Sequence, residues 1–257
     1  LPGVSRKKDL LSLQALFAFE EFRPDMLKIY PCMVLKGTRL YRMWKKKEYA
    51  PLTTKKAAGL IAEFKGMVPE YCRISRVQRD IPTFMTEAGV DRTNLRQYIH
   101  QLMGDKKTRC RCIRCRESGH MLGKDRKIKV RKISILERHY IASGGNEFFI
   151  SAEDVKNDIL FGFCRLRFPS SSLRKEITHD SALIRELHIY SPSVRIGERS
   201  SLSYQHRGLG KKLIKKAEET ARTYYKKKMV VIAGVGARAY FAKLGYKKDG
   251  PYMSKHI

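Results

Sequence analysis

Apolar residues recur with helical spacing near the middle of the first hundred residues. The pattern predicts an amphipathic helix with an N-cap at Thr53 or Thr54. Its apolar face is formed by Ala57, Leu60, Ile61, Phe64 and Val68. Strand-like runs flank this helix at residues 26–35 and 71–77, so residues 1–102 are predicted to form part of a parallel sheet or barrel. About a hundred residues make only half of a (β/α)₈ barrel, which usually takes about 200 or more.

Strand patterns dominate the second half of the chain. The predicted strands are 128–140, 147–151, 159–166, 182–190 and 229–233. Two helices interrupt them, at residues 210–225 and 237–244, and the second ends at Gly245, a typical C-cap residue. Mostly antiparallel strands, closed by a strand, helix, strand and helix, predict a mixed α/β domain over residues 128–257.

Between these regions, residues 103–127 contain mainly Lys, Arg, Cys and Gly, so we predict a basic linker. Cys110, Cys112 and Cys115 lie inside it with the spacing Cys-x-Cys-x-x-Cys. Three thiolates at this spacing can converge on one tetrahedral zinc ion, and a segment without a core of its own gains folding free energy from the metal. The candidates for a fourth ligand are His100, His120 and Cys72, and the alternatives are an open coordination position or an upstream residue.

Two other states of these cysteines stay open. Three unliganded thiols beside so many arginines would be reactive. An iron–sulfur cluster would also use cysteines, but the Cys-x-x-x-Cys-x-x-Cys pattern of radical-SAM enzymes does not occur in residues 1–257. We therefore favour structural zinc.

Charge points to a polyanionic partner. The chain has 54 Lys+Arg against 25 Asp+Glu, a net charge of +29, and its 42% hydrophobic content excludes wholesale disorder. When Lys and Arg side chains neutralise the phosphates of a nucleic acid, condensed counterions are released and binding is favoured, so nucleic acid is the expected partner. The alternative is a solvated surface that is rich in lysine and binds no polyanion. An anionic membrane would favour a basic amphipathic helix, whereas the basic residues here are scattered.

The sequence also constrains location. It has neither the roughly 18–20 uninterrupted apolar residues that span a bilayer nor a signal peptide, so we expect a soluble, cytoplasmic protein with no membrane partner. Six cysteines are too few for a disulfide scaffold and suit a reducing compartment. The first residue is Leu1 rather than Met, which predicts a fragment of a longer protein.

A glycine-rich turn precedes the helix predicted at residues 210–225. It reads Gln205-His206-Arg207-Gly208-Leu209-Gly210 and is followed by Lys211 and Lys212. Glycines at a strand-to-helix junction let the backbone approach a ligand, and free amides at a helix N-terminus bind anions such as a pyrophosphate. A tight turn without a ligand would use the same glycines, but the strand before it and the two lysines after it favour diphosphate binding.

This turn resembles the pyrophosphate loop of the GNAT acetyltransferase family, Gln/Arg-x-x-Gly-x-Gly/Ala, and residues 240–246 resemble its closing segment. The resemblance implies that acetyl-CoA is bound. The residues implied to bind it are Glu186, Leu187, His188, Ile189, Gln205, Arg207, Gly208, Leu209, Gly210, Lys211, Lys212, Tyr240 and Phe241. The resemblance also implies that Tyr240 is the general acid for the leaving thiolate. A packed core tyrosine is the alternative.

The order of parts resembles the Elp3 family, the catalytic subunits of Elongator, in its archaeal form. The stretches that carry this resemblance are residues 1–3, 22–31, 76–82, 110–116, 186–188 and 205–208. They imply an α/β (α+β) fold: the C-terminal half of a radical-SAM TIM-like barrel, a zinc-binding linker and a GNAT domain. Relatives often have two adjacent tyrosines in the closing segment, where this chain has Tyr240-Phe241, which puts any role of the second hydroxyl in doubt.

The same resemblance implies an enzyme, a tRNA carboxymethyluridine synthase. Its product is 5-carboxymethyluridine at wobble uridine 34, made from acetyl-CoA, S-adenosylmethionine and water, and its partner is the tRNA anticodon stem-loop. A 5′-deoxyadenosyl radical would abstract a hydrogen atom from the acetyl methyl group. The 4Fe-4S iron–sulfur cluster and most S-adenosylmethionine contacts would lie upstream of Leu1.

Two other functions fit the same residues. One is a GNAT enzyme that acetylates protein lysines, with Glu186 as the general base; the chain's high positive charge disfavours lysine-rich substrates. The other is a non-enzymatic, zinc-stabilised RNA-binding module in which Tyr41, Trp44 and Tyr49 stack on unpaired bases.

Overall fold

The computed structural model describes residues 1–124, 128–171, 174–190 and 208–257. The chain forms two compact units, Leu1–Cys115 and Arg116–Ile257. The division falls inside the segment predicted as a linker, and the three-part division at residues 102 and 127 stays a prediction. In the described part of the chain, no helix is long and apolar enough to cross a bilayer.

The first unit surrounds a small parallel pair of strands. Its elements are α1 (Arg6–Ala18), β1 (Met26–Lys28), β2 (Val34–Leu35), α2 (Arg39–Lys45), α3 (Thr54–Met67), β3 (Arg73–Arg76), β4 (Thr86–Ala88), α4 (Leu95–Asp105) and α5 (Ile113–Arg116). Strand β1 pairs with β3 in parallel, and β2 pairs with β4 in antiparallel orientation. The predicted strand at 26–35 is therefore wrong as one element. Pro31, which lacks an amide proton and has a restricted φ, lies between β1 and β2.

Helix α3 forms as the apolar spacing predicts. The Thr53 side chain accepts a hydrogen bond from the Lys56 amide and caps the helix. The buried face includes Leu60, Ile61 and Phe64. The last turn of α3 lies close to the cysteine-rich segment, since Lys65 Nζ is 3.6 Å from Cys115 Sγ.

The second unit is built on a seven-stranded sheet. Its elements are α6 (Ser118–Lys124), β5 (Ser134–Ala142), β6 (Gly145–Asp154), β7 (Ile159–Phe168), β8 (Ser181–Ile189), α7 (Leu209–Thr223), β9 (Lys228–Val231), α8 (Arg238–Ala242), β10 (Lys247–Asp249) and β11 (Tyr252–His256). The strand order is β10-β11-β9-β8-β7-β6-β5, and the pairing is antiparallel except between β8 and β9. Helix α7 packs its buried face, which includes Leu213, Ile214 and Ala217, into the main core.

The structure shifts one predicted strand boundary and adds detail to the predicted linker. Strand β5 begins at Ser134, six residues later than predicted, because Ile128, Val130 and Ile133 pack against the core from an unpaired segment and mimic a strand pattern. The segment predicted as a basic linker contains regular structure, α5 and α6, and its residue Ile113 is fully buried.

Candidate functional site

A cleft opens in the second unit where β8 and β9 diverge. Their parallel pairing ends at Ile184↔Val231, whereas β8 continues along β7 to Ile189. The register with β7 shifts at Arg185, a β-bulge that bends β8 at this point. The opening encloses about 430 Å³. Its lining residues are Ile184, Arg185, Glu186, Leu187, Val231, Ile232, Ala233, Gly234, Ala237, Tyr240 and Phe241.

The structure brings together four of the predicted coenzyme-binding residues at this cleft: Glu186, Leu187, Tyr240 and Phe241. His188 and Ile189 are not among its lining residues. The His188 ring stacks on Phe163 at 6.1 Å between centroids, and Ile189 packs against the core. The sequence analysis missed the wall from Val231 to Ala237. Its signal is an apolar strand end followed by glycine, since ligands bind at the carboxyl ends of parallel strands.

The N-terminus of α7 carries the second part of the predicted site. Gly208 caps the helix with a left-handed backbone (φ 76°), and Leu209, the first helical residue, is buried. Lys211 and Lys212 are exposed in the first turn, which contains no acidic residue. The first amides of a helix lack intrahelical acceptors, so this end of α7 suits an anion. Gln205 and Arg207 lie outside the described residues.

Gly210 connects this helix end to the cleft. A Cβ built on Gly210 would lie 2.7 Å from the Tyr240 hydroxyl oxygen and 3.9 Å from a methyl carbon of Leu187. Only glycine leaves room for the phenol at this position. The structure therefore places the helix N-terminus, strand β8 and Tyr240 around one point.

Tyr240 is half-buried, and its environment favours the neutral phenol. Burial raises the pKa of Tyr240, and the negative charge that Cys164 gains when it ionises raises this pKa further. Burial also raises the pKa of Cys164 to about 12, so this thiol is protonated at neutral pH and is not a nucleophile. Phe241 is buried and packs edge-on against the Tyr240 ring, with 5.4 Å between the ring centroids. Tyr240 thus presents a hydroxyl to the cleft that is able to donate a proton.

Glu186, the general base that lysine acetylation would use, already forms an ion pair with Arg165. The buried Arg165 guanidinium donates a 2.9 Å hydrogen bond from Nε to Glu186 Oε2. Arg165 itself lies over the rings of Phe149 and Phe163, at 5.4 and 5.0 Å from their centroids. This packing holds the carboxylate in an ion pair at the cleft wall.

The three cysteines of the first unit converge. The Sγ atoms of Cys110, Cys112 and Cys115 all lie within 4.8 Å of one another. Tetrahedral zinc with Zn–S bonds of about 2.3 Å places its sulfurs about 3.8 Å apart, so the three thiols fit one ion. Cys110 and Cys112 are buried. Hydrogen bonds from Cys110 and Cys115 lower the pKa of Cys112, and sharing a proton with that thiolate raises the pKa of Cys110.

Groups around the cysteines complete this candidate metal centre. His100, one of the three predicted fourth ligands, has its Nε2 atom 3.7 Å from Cys115 Sγ. The Ile74 amide donates to Cys112 Sγ. Cys72 contacts the cysteine-rich segment through its backbone: its carbonyl oxygen accepts a hydrogen bond from the Ile113 amide, with an N–O distance of 3.0 Å. His120 belongs to the second unit.

A basic and aromatic surface is formed by α2. The Lys45 ammonium lies 5.6 Å from the centroid of Tyr41 and 5.2 Å from that of Trp44, and both rings are half-buried. Tyr41, Arg42 and Lys45 line an open groove of about 620 Å³, whereas Trp44 is not among its lining residues. Tyr49, the third aromatic residue of the RNA-binding alternative, is only 9% exposed, so it is a packed residue and does not offer its ring for stacking. Burial and a hydrogen bond to Cys32 raise the pKa of Tyr49 to about 12.

Comparison with known families matches both units. Residues 24–104 match the Radical SAM C-terminal domain, and residues 201–256 match the acetyltransferase (GNAT) domain. Both matches confirm the predicted fold class, the C-terminal part of a radical-SAM domain joined to a GNAT domain. Strands β1 and β3 lie within the first match, and α7 and β9 lie within the second, whereas β8 precedes it.

Individual relatives match over the whole chain. The tRNA uridine(34) acetyltransferase of Methanocaldococcus infernus is 43% identical over 100% of this chain and 49% of its own length. Elongator complex protein 3 of Schizosaccharomyces pombe is also 43% identical, over 100% of this chain and 48% of its own length. The chain spans about half the length of these relatives.

A solved structure agrees with this result. The archaeal Elp3 of Methanocaldococcus infernus with an N-terminal deletion (1-46) superposes with a TM-score of 0.93 at 43% identity, covering 100% of this chain and 61% of that chain. The resemblance predicted from the sequence is confirmed. Over its whole length, this chain is similar in sequence to Elongator complex protein 3 and to tRNA uridine(34) acetyltransferases, and similar in fold to an archaeal Elp3.

Proposed function

We propose that this chain supplies the acetyl-CoA-binding and tRNA-binding half of an acyltransferase that makes 5-carboxymethyluridine at uridine 34. The observation that carries the proposal is the convergence of the α7 N-terminus, strand β8 and Tyr240 at Gly210. The relatives named tRNA uridine(34) acetyltransferase support the choice of substrate. The reaction would take place in the cytoplasm.

In this proposal the amides at residues 208–210, with Lys211 and Lys212, bind the coenzyme diphosphate. The edge of β8 that β9 leaves at Glu186 and Leu187 pairs with the pantetheine arm. Tyr240 donates its proton to the thiolate that leaves when the thioester breaks. S-adenosylmethionine and a 4Fe-4S cluster would supply radical chemistry from a part of the protein outside residues 1–257.

Replacement of Gly210 by alanine is expected to weaken acetyl-CoA binding at least about tenfold, a loss of about 1.4 kcal/mol. The new methyl group would lie 2.7 Å from the Tyr240 hydroxyl oxygen and displace the ring. Gly208→Ala should weaken binding as well, because a left-handed residue other than glycine costs about 1–2 kcal/mol. Calorimetry with acetyl-CoA and a non-hydrolysable analogue measures both effects.

The matched control is Gly123→Ala, since a Cβ on this helical glycine meets nothing within 4 Å. It should leave the dissociation constant unchanged. Wild-type affinity in Gly210→Ala would remove the assignment of this cleft to the coenzyme.

The zinc part of the proposal assigns Cys110, Cys112 and Cys115 as thiolate ligands of one structural ion, with His100 as the fourth donor. The donor set fits because soft thiolates and imidazole are the usual ligands of zinc. The ion would stabilise the segment between the domains predicted at 1–102 and 128–257.

Trp44 provides a test of RNA binding. Trp44→Ala should weaken tRNA binding about 5- to 150-fold, since stacking on one base contributes about 1–3 kcal/mol. The measurement is the tRNA dissociation constant by gel shift. Phe84→Ala is the control, because Phe84 is an 86% exposed aromatic residue away from the α2 groove. Equal affinities of Trp44→Ala and the wild type would show that tRNA does not stack on α2.

A further inference from the structure

Lys65 lies in an unusual place for a lysine. It is in the last turn of α3, it is 0% exposed, and its Nζ lies 3.6 Å from Cys115 Sγ. Its electrostatic influence reaches all three cysteines of the cluster. Among the described residues, Lys65 forms no ion pair with a carboxylate. The ionisable groups next to the Lys65 ammonium group are therefore the thiols of this cluster.

A buried ammonium group needs a partner. Lysine is almost never fully buried unless it is paired, because removing its charge from water is costly. A single neutral thiol does not compensate that charge, whereas a thiolate does. The position of Lys65 is explained if the neighbouring cluster carries negative charge.

The charge count of a zinc site supplies this negative charge. One Zn²⁺ and three thiolates carry a net charge of −1, and a neutral histidine as fourth ligand leaves that sum unchanged. One lysine makes the assembly neutral. We infer that Lys65 is the built-in counter-charge of the Cys110, Cys112 and Cys115 site and a positioning residue for the Cys115 thiolate.

Two different groups orient the sulfur atoms of this cluster. The Ile74 amide donates to Cys112, so one sulfur is oriented by the backbone of β3 and another by the ammonium on α3. Outer-shell donors of this kind set ligand orientation and metal affinity. The inference rests on the proposed zinc role of the cluster.

The test measures zinc affinity of the full 257-residue chain by competition with a chromogenic chelator. Lys65→Met should bind zinc about 10- to 100-fold more weakly than the wild type, the usual loss for an outer-shell partner. Lys65→Arg keeps the charge and should rescue most of the affinity. Lys56→Met, an exposed position on the same helix, is the control and should bind as the wild type does.

Lys65→Gln separates charge from hydrogen bonding and replaces Lys65→Met if that variant does not fold. It keeps a donor without the charge, so we expect it to lose affinity as well. The absorption spectrum of the cobalt-substituted protein gives a second readout. Lys65→Gln should keep the tetrahedral d–d bands but shift the thiolate-to-metal charge-transfer band. A merely structural role of Lys65 would leave the position of that charge-transfer band unchanged.

Wild-type zinc affinity in Lys65→Met or Lys65→Gln would overturn the inference, and so would an unshifted charge-transfer band. A wild-type chain that takes up neither zinc nor cobalt would instead refute the proposed zinc site itself. The two failures are thus distinguishable.

Discussion

Replacement of Cys112 by serine is expected to abolish stoichiometric zinc binding and to unfold the cysteine-rich part of the first unit. Cys112 is fully buried, and its sulfur accepts hydrogen bonds from both neighbouring thiols and from the Ile74 amide. Structural zinc contributes about 10–16 kcal/mol in zinc-finger peptides, against a typical domain stability of about 5–15 kcal/mol. Loss of one ligand therefore removes an interaction as large as the stability of a whole domain.

The measurements are metal content after dialysis and thermal unfolding with and without a chelator. The chelator should lower the Tm of the wild type and leave that of Cys112→Ser unchanged. Cys32→Ser serves as the control, because Cys32 lies outside the cluster. Full zinc content in Cys112→Ser would show that this thiol is not a ligand.

Tyr240→Phe is expected to lower kcat for tRNA-stimulated acetyl-CoA hydrolysis about 10²- to 10⁴-fold, the usual contribution of a general acid. The KM for acetyl-CoA should change little, because the ring and its contact with Phe241 remain. Only the proton donor is lost. Steady-state kinetics over a range of acetyl-CoA concentrations separates the two parameters.

The pH profile gives an independent check. Burial raises the pKa of Tyr240 above the ordinary value of about 10, so the phenol keeps its proton throughout the neutral range. Activity that depends on this donor should fall only at more alkaline pH. Tyr225→Phe is the control, since Tyr225 is 88% exposed. An unchanged kcat in Tyr240→Phe would make Tyr240 a packed core residue.

Local patterns predicted the elements whose partners lie nearby in sequence. Helix α3 starts at the predicted cap because Thr53 bonds to an amide three residues away. The cysteine spacing Cys-x-Cys-x-x-Cys also acts locally, and the three sulfurs converge as the spacing indicates. The glycine at position 208 adopts the left-handed backbone for which glycine is suited.

Predictions failed where long-range packing imitates or interrupts a local pattern. Residues 128–133 have the apolar spacing of a strand, but their side chains pack on the core without a strand partner. Tyr49 follows a run of basic residues in the sequence, as a base-stacking residue would, but its side chain is buried within the first unit. Pairing and burial depend on residues far away in sequence, which a local window does not contain.

The sequence by itself determined the two domain families, the thiol triad and the glycine turn, because each depends on residues within a short segment. Only the tertiary structure decided that Lys65 and His100 adjoin Cys115, that Arg165 engages Glu186, and that Tyr240 adjoins Gly210. These pairs are separated by 15 to 50 residues along the chain. Their contacts arise from the packing of helices and strands, in which the burial of apolar surface brings distant polar groups to one place.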